Sequence, residues 1–257
     1  VLGQPEAFSK YYYEYGADEL MYVDVVASLY DRNSLHEMIT KTAKEAFIPL
    51  TVAGGIRSIH DIREILRAGA DKVSINTAAI INPGLISEAA KKFGSSTIVV
   101  TIEAIKSDKG GYFSYTDNGR EFTGVEVFSW AKEVESLGAG EIVITSVDQE
   151  GTGKGFDIEL TQMVAEAVKI PVIAHGGAGS TSHIQQVIKQ GKADAVAIAS
   201  VLHYAAIEKL ETSSASDEEG NIEFLRRKST GSHINGLEID TIKADLYSAG
   251  IFCRYKP

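Results

Sequence analysis

The chain has a single cysteine, Cys253, among its 257 residues, so an internal disulfide is excluded. No stretch approaches ~18 uninterrupted apolar residues, which leaves no candidate for a bilayer-spanning helix. Basic side chains are in the minority: 25 Lys and Arg against 35 Asp and Glu give a net charge of −10, which argues against nucleic acid or an anionic membrane as the partner. Any anionic ligand must then be held by local groups. No early segment joins positive charge to a long apolar run, and a reducing, cytoplasmic setting is the expectation. The six histidines show no compact zinc spacing such as HExxH, so neither metal nor other cofactor is expected.

What the chain does have is alternation. Short apolar runs read as strands at 19–25, 49–55, 72–78, 97–104, 141–147, 171–177 and 195–201. Between most of them lie segments with apolar residues at i, i+3, i+4 spacing, such as "SIHDIREILRAGA" and "EVFSWAKEVESLG". This is the pattern of βαβ units and a parallel sheet. Asn118-Gly119, between aromatic-rich arms, predicts a two-residue hairpin turn after the strand at 97–104. A polar insertion over about 211–236 precedes a last helix, "IDTIKADLYSAG". The chain also repeats itself: "YGADELMYVDV" resembles "LGAGEIVITSV" and "LTVAGGIRS" resembles "VIAHGGAGS", each pair 122 residues apart. Two related halves, about 1–96 and 97–257, predict one domain over 1–257, a (βα)8 TIM barrel with a two-fold half-barrel repeat. Seven strands are counted, so a first strand is expected ahead of Val1.

In such a barrel the chemistry lies at the carboxyl ends of the strands. "AGG" and "HGGAG" place Gly54-Gly55 and Gly176-Gly177 there, glycines that expose backbone N–H groups to a phosphate, though tight strand-to-helix turns alone would use the same residues. Glu103 and Asp148 both follow apolar strands and are the candidates for acid and base work; for Asp148 a capping or loop role has equal standing. His175 is a group of near-neutral titration, or else a packed, hydrogen-bonded histidine. "GTGKG" at 151–155 has neither nucleotide-loop spacing, and Lys154 in it is either a lid over an anion or a solvated loop lysine. At the opposite strand ends stand Glu19, Lys72 and Glu141, which pattern alone reads as ordinary edge solvation.

Taken together, "GADELMYVDVVAS", "IPLTVAGGIRS", "GADKVSINTAA", "GAGEIVITSVDQEGTGKGFD" and "IPVIAHGGAGS" resemble the cyclase subunit family of imidazole glycerol phosphate synthase, the HisF family, from about Gln4 to Tyr204. The resemblance implies a lyase of histidine biosynthesis that takes ammonia from a glutaminase subunit docked on the barrel floor. It implies a bis-phosphorylated substrate bound by Gly54, Gly55, Asn76 and Thr77 at one end and by Gly151, Gly176, Gly177, Ala199 and Ser200 at the other. It turns Glu19, Lys72 and Glu141 into members of a charged ring at the ammonia entrance, and Asp71 into a residue facing the glutaminase. Three features depart from the pattern. Glu103 stands where the family has aspartate, "AGG" replaces a triple glycine, and His175 replaces a small residue. With the polar insertion, they also resemble HisF-like paralogues that relay ammonia to a sugar amidotransferase in surface-polysaccharide synthesis, the alternative reading.

Overall fold

The computed structural model describes residues 5–24, 32–210 and 236–255; most of the insertion expected at 211–236 lies outside them. Helix α1 (Pro5–Glu14) leads into β1 (Leu20–Val23), followed by α2 (Arg32–Glu45), β2 (Leu50–Ala53), α3 (Ile59–Ala68) and β3 (Lys72–Ile75). Helices α4 (Thr77–Ile81) and α5 (Gly84–Phe93) precede β4 (Ile98–Lys106), which runs into the hairpin β5 (Tyr112–Thr116) and β6 (Glu121–Glu126). Then come α6 (Val127–Ser136), β7 (Glu141–Ser146), α7 (Ile158–Ala167), β8 (Val172–His175), α8 (Thr181–Lys189), β9 (Ala195–Ala197), α9 (Ser200–Lys209) and α10 (Ile239–Ser248). The parallel path is β1-β2-β3-β4-β7-β8-β9, with β5 and β6 added antiparallel beside β4. This is the (βα)8-barrel architecture, with seven of its parallel strands among the described residues. None of the described helices is long and apolar enough to cross a membrane.

Strand alternation divides the side chains into two populations. Val52, Val73, Ile75, Ile98, Val100, Ile102, Ala104, Ile142 and Ile144 are sealed in one cluster with the helices. The alternate positions carry Thr51, Lys72, Ser74, Thr101, Glu103, Thr145 and His175, and these make contacts across the barrel interior. On β2, β3, β4, β7 and β8 one face is therefore spent on the helices, and the other brings polar side chains, together with Val99 and Val143, to the barrel axis.

Helix α3 shows how the crossover units are punctuated. Ser58 Oγ accepts the Asp61 N–H at its start, Ile62 and Ile65 are buried on one face, and Gly69 ends it at φ +121°, where a Cβ would lie 2.8 Å from that of Ala43. One half-barrel later Ser180 Oγ accepts the His183 N–H at the start of α8. Asp71 and Asp194 likewise repeat: Oδ2 of each accepts the first strand amide of the preceding unit, Leu50 N–H and Val172 N–H, at 2.8 and 2.9 Å. The duplication read in the sequence is thus present in matched caps.

Two expectations need correction. The runs at 72–78 and 195–201 are not strands throughout. β3 stops at Ile75 and β9 at Ala197, because Asn76 and Ala199 swing to φ −121° with ψ −91° and −77°, and a helix begins at the next residue. The hairpin turn spans four residues, 117–120, between the paired Thr116 and Glu121, with Asp117, Asn118 and Gly119 all at positive φ. Helix α1, on which the sequence reading is silent, buries Tyr11 and Tyr12 against Ala206 and Ile239.

Candidate active site

Glu103 lies near the carboxyl end of β4, and the hairpin that follows folds back over it. The turn aims the Gly119 N–H at Glu103 Oε2, 2.8 Å away. Gly119 sits at φ +77° with its missing Cβ directed at Val147, 2.7 Å from Cγ1, so only glycine lets the turn close there. Burial raises the Glu103 pKa above the usual glutamate range; the Gly119 amide opposes that rise, the nearby Glu150 charge adds to it, and the Asn76 side chain opposes it. A half-buried carboxyl whose protonated form is favoured by burial is suited to giving and taking protons.

Glu103, Thr145, His175 and Ala197 stand in one register across β4, β7, β8 and β9. Thr145 is buried and its Oγ1 lies 3.1 Å from His175 Nδ1. Burial lowers the His175 pKa, with Glu150 pulling it the other way, which favours the neutral imidazole. Asp148 is placed differently: it is exposed, past the end of β7, and its Oδ2 accepts the Lys106 N–H at 2.9 Å, tying the β7 loop to the end of β4. Lys106 Nζ in turn pairs with Glu159 at 2.6 Å, and Tyr112 donates to Asp157, the cap of α7, so the hairpin base is fixed to the same loop.

Two backbone cradles flank this row. In the first, Gly54 at φ +105° brings the chain against Asp24, whose carbonyl O is 2.1 Å from where a Cβ would stand. In the second, Gly176 at φ +95° does the same against Ser146, at 2.6 Å. Gly55 and Gly177 follow, also at positive φ. Asn76-Thr77 and Ala199-Ser200, one strand further on in each half, open α4 and α9. The first amides of such a turn have no partner within the helix. Gly151 is exposed, with open space around its Cα.

The loop 151–155 is locked rather than free. Gly155 N–H donates to Gly177 O at 2.8 Å, and a Cβ on Gly177 or Gly179 would lie 2.0 Å from the carbonyl oxygen of Gly155 or Gly153. Lys154 projects from it, exposed.

At the other end of the barrel Lys72 Nζ lies between Glu19 Oε2, at 2.9 Å, and Glu141 Oε1, at 2.6 Å. Only 17% of the Lys72 side chain is exposed, so the bland reading of a solvated strand edge is replaced by a linked charge cluster. Burial opposes the Lys72 charge, but the hydrogen bonds to Glu141 and Glu19 outweigh it and hold the pKa above the usual lysine value. Glu19 also accepts from Thr51 Oγ1 at 2.6 Å, and Ser74 and Thr101 hydroxyls meet at 2.7 Å higher up. Small polar side chains therefore mark the axis from floor to mouth. Asp71 is exposed on the floor side, one carboxylate oxygen engaged with Leu50 N–H.

The structure brings Glu103, Asn76, Thr145 and His175 to one mouth and Glu19, Lys72 and Glu141 to one floor. Sequence reading missed the Gly119 amide and Glu150. The hairpin signal was visible, but which way its tip leans is a tertiary fact, and Glu150 lies in a turn where strand alternation says nothing about direction.

A family model described as "Histidine biosynthesis protein" matches residues 1–208. Among curated proteins, the chain is 48% identical to the imidazole glycerol phosphate synthase subunit HisF of Trichormus variabilis over 212 residues, covering 81% of this chain and 82% of that one. It is 48% identical to the subunit of that name from Methanococcus vannielii, covering 79% and 82%, and 56% identical to that of Legionella pneumophila, covering 70% and 84%. With a barrel fold, doubled cradles and this level of identity over most of its length, the chain belongs to the histidine-biosynthesis barrel family, among the HisF subunits of imidazole glycerol phosphate synthase.

Proposed function

We propose that the chain is the ammonia-using cyclase of histidine biosynthesis, a lyase that adds ammonia to a bis-phosphorylated ribulosyl aminoimidazole carboxamide. The adduct is cleaved and closed to imidazole glycerol phosphate and an aminoimidazole carboxamide ribotide. The observation that carries this reading is the doubling of one backbone cradle about the mouth: Gly54 and Gly176 hold equivalent conformations, each followed one strand later by a turn that opens at Thr77 or Ser200. A substrate with phosphate at both ends needs two such sites with a reacting centre between them. Gly54, Gly55, Asn76 and Thr77 take one phosphate; Gly151, Gly176, Gly177, Ala199 and Ser200 take the other, where the N-terminus of α9 adds its dipole.

Glu103 is the acid/base group between them, its protonated form favoured by burial. Asp148 is the second carboxylate of the mouth, bonded at Oδ2 to Lys106 N–H and available through Oδ1 for the cleavage and closure steps. A glutaminase docks on the floor beside Asp71. Its ammonia passes the Lys72 cluster and follows the hydroxyls of Thr51, Ser74 and Thr101 to the mouth.

The test is turnover by the full-length protein with ammonium salt at alkaline pH, following loss of the ribulosyl substrate by absorbance. Wild type turns over, and Glu103→Gln loses about a thousandfold in kcat. A wild type without turnover overturns the reading and directs attention to ammonia relay between a glutaminase and an amidotransferase.

A further inference from the structure

His175 has no counterpart in the first half of the barrel. The residue 122 positions earlier is Ala53, on the same side of the same turn, so the fold does not require an imidazole there. Its surroundings give it a direction. Nδ1 is engaged by Thr145 Oγ1 at 3.1 Å, whereas Nε2 has no hydrogen-bond partner among the described residues and is not one of the sealed, orphaned atoms. His175 also shares its register with Glu103, with Thr145 on the strand between them. Neighbouring strands are about 4.8 Å apart, so the two Cα atoms are roughly 10 Å apart along the row that tops the polar interior. Glu150 is the charged group that acts on the imidazole, Lys154 projects from the loop packed on the following glycines, and β9 brings no titratable side chain to it.

We propose that His175 is a proton-transfer group working opposite Glu103 in the addition of ammonia, an assignment that rests on the cyclase reading. With Nδ1–H donating to Thr145 Oγ1, the Nε2 lone pair faces the substrate. As ammonia attacks the ribulosyl carbonyl carbon, the new C–N bond forms, Nε2 takes one proton from nitrogen and Glu103 gives one to the carbonyl oxygen. When the resulting hydroxyl leaves, the imidazolium returns its proton to make water, and Glu103 takes the second nitrogen proton as the C=N bond forms. Both groups end as they began. Burial supports the role, because it keeps the imidazole neutral and ready to accept.

The experiment uses the full-length protein with ammonium salt at constant free ammonia across the pH range. For His175→Gln, kcat falls about a hundredfold with KM within about threefold, and the acid-side fall of kcat/KM, set below the usual histidine range by burial, is lost. Thr145→Val keeps the volume and removes the brace on Nδ1; kcat falls about tenfold and the acid limb shifts. Should His175→Gln fail to fold, Thr145→Val decides. Wild-type kcat and an unchanged limb in the variants, or a loss confined to KM, overturns the assignment while leaving the cyclase reading standing. A wild type that turns nothing over removes both.

Discussion

The two halves of the barrel share their backbone requirements and differ in their chemistry. Gly54 and Gly176 close against equivalent carbonyls, Ser58 and Ser180 cap equivalent helices, and Asp71 and Asp194 brace equivalent strands. Yet Ala53 corresponds to His175 and Asp24 to Ser146 at the 122-residue spacing, and Asn76 corresponds to Ala199 one residue beyond it. Duplication preserved what the turns need in order to form, while the side chains proposed to face a reacting centre went separate ways. A symmetric frame can thus hold an asymmetric substrate.

The comparison breaks most visibly at the cradles. Gly54→Ala and Gly176→Ala each force a Cβ into a carbonyl at positive φ, so each is expected to destabilise by about 3 kcal/mol or more, read from urea midpoints. Similar losses sustain the equivalence of the halves; a loss in only one destroys it. Next in size is a feature the second half lacks. Lys72→Met leaves Glu19 and Glu141 facing each other in a poorly solvated place, for a loss of about 1 to 2 kcal/mol. With a glutaminase partner it should slow glutamine-driven turnover more than ammonium-driven turnover. The caps sharpen the match: Ser58→Ala and Ser180→Ala are expected to lower stability by about 1 kcal/mol each, and by equal amounts.

The smallest effect has a sign that depends on pH. The Glu103 pKa is raised in the folded protein, so its favourable contribution is complete while the carboxyl is protonated and is lost as pH rises through that raised value. Glu103→Gln stays neutral throughout. It should melt above wild type at pH 7, and the gap should close as pH is lowered toward the ordinary glutamate value, in thermal scans at both ends of the range. A catalytic carboxylate that the fold tolerates at some loss predicts this direction; a purely structural one predicts the reverse.

Most of the frame was legible because alternation and helical period are local. The glycines of "AGG" and "HGGAG" marked both cradles, and the 122-residue spacing tied them together. What failed was the carboxyl end of β3 and β9. "KVSINTA" and "AVAIASV" continue as strand by composition, but Asn76 and Ala199 turn the backbone into helices at the points proposed to hold phosphate. Chemistry-bearing turns break local rules, so propensity is least informative there. The floor was underrated for another reason. Glu19, Lys72 and Glu141 are far apart in the chain, and only barrel closure makes one cluster of them.

The loop 151–155 and the turn 176–179 touch through backbone atoms that leave no space for a side chain on Gly177 or Gly179. Their inheritance is consequently joined. A lineage that lengthens one loop or fills one glycine loses the other's seat, so the two segments should persist or vanish together. Thr152 belongs to the lock, its hydroxyl donating to Gln149 O and accepting the Lys154 N–H, whereas the exposed Lys154 side chain remains open to drift and gives selection a place to retune the mouth.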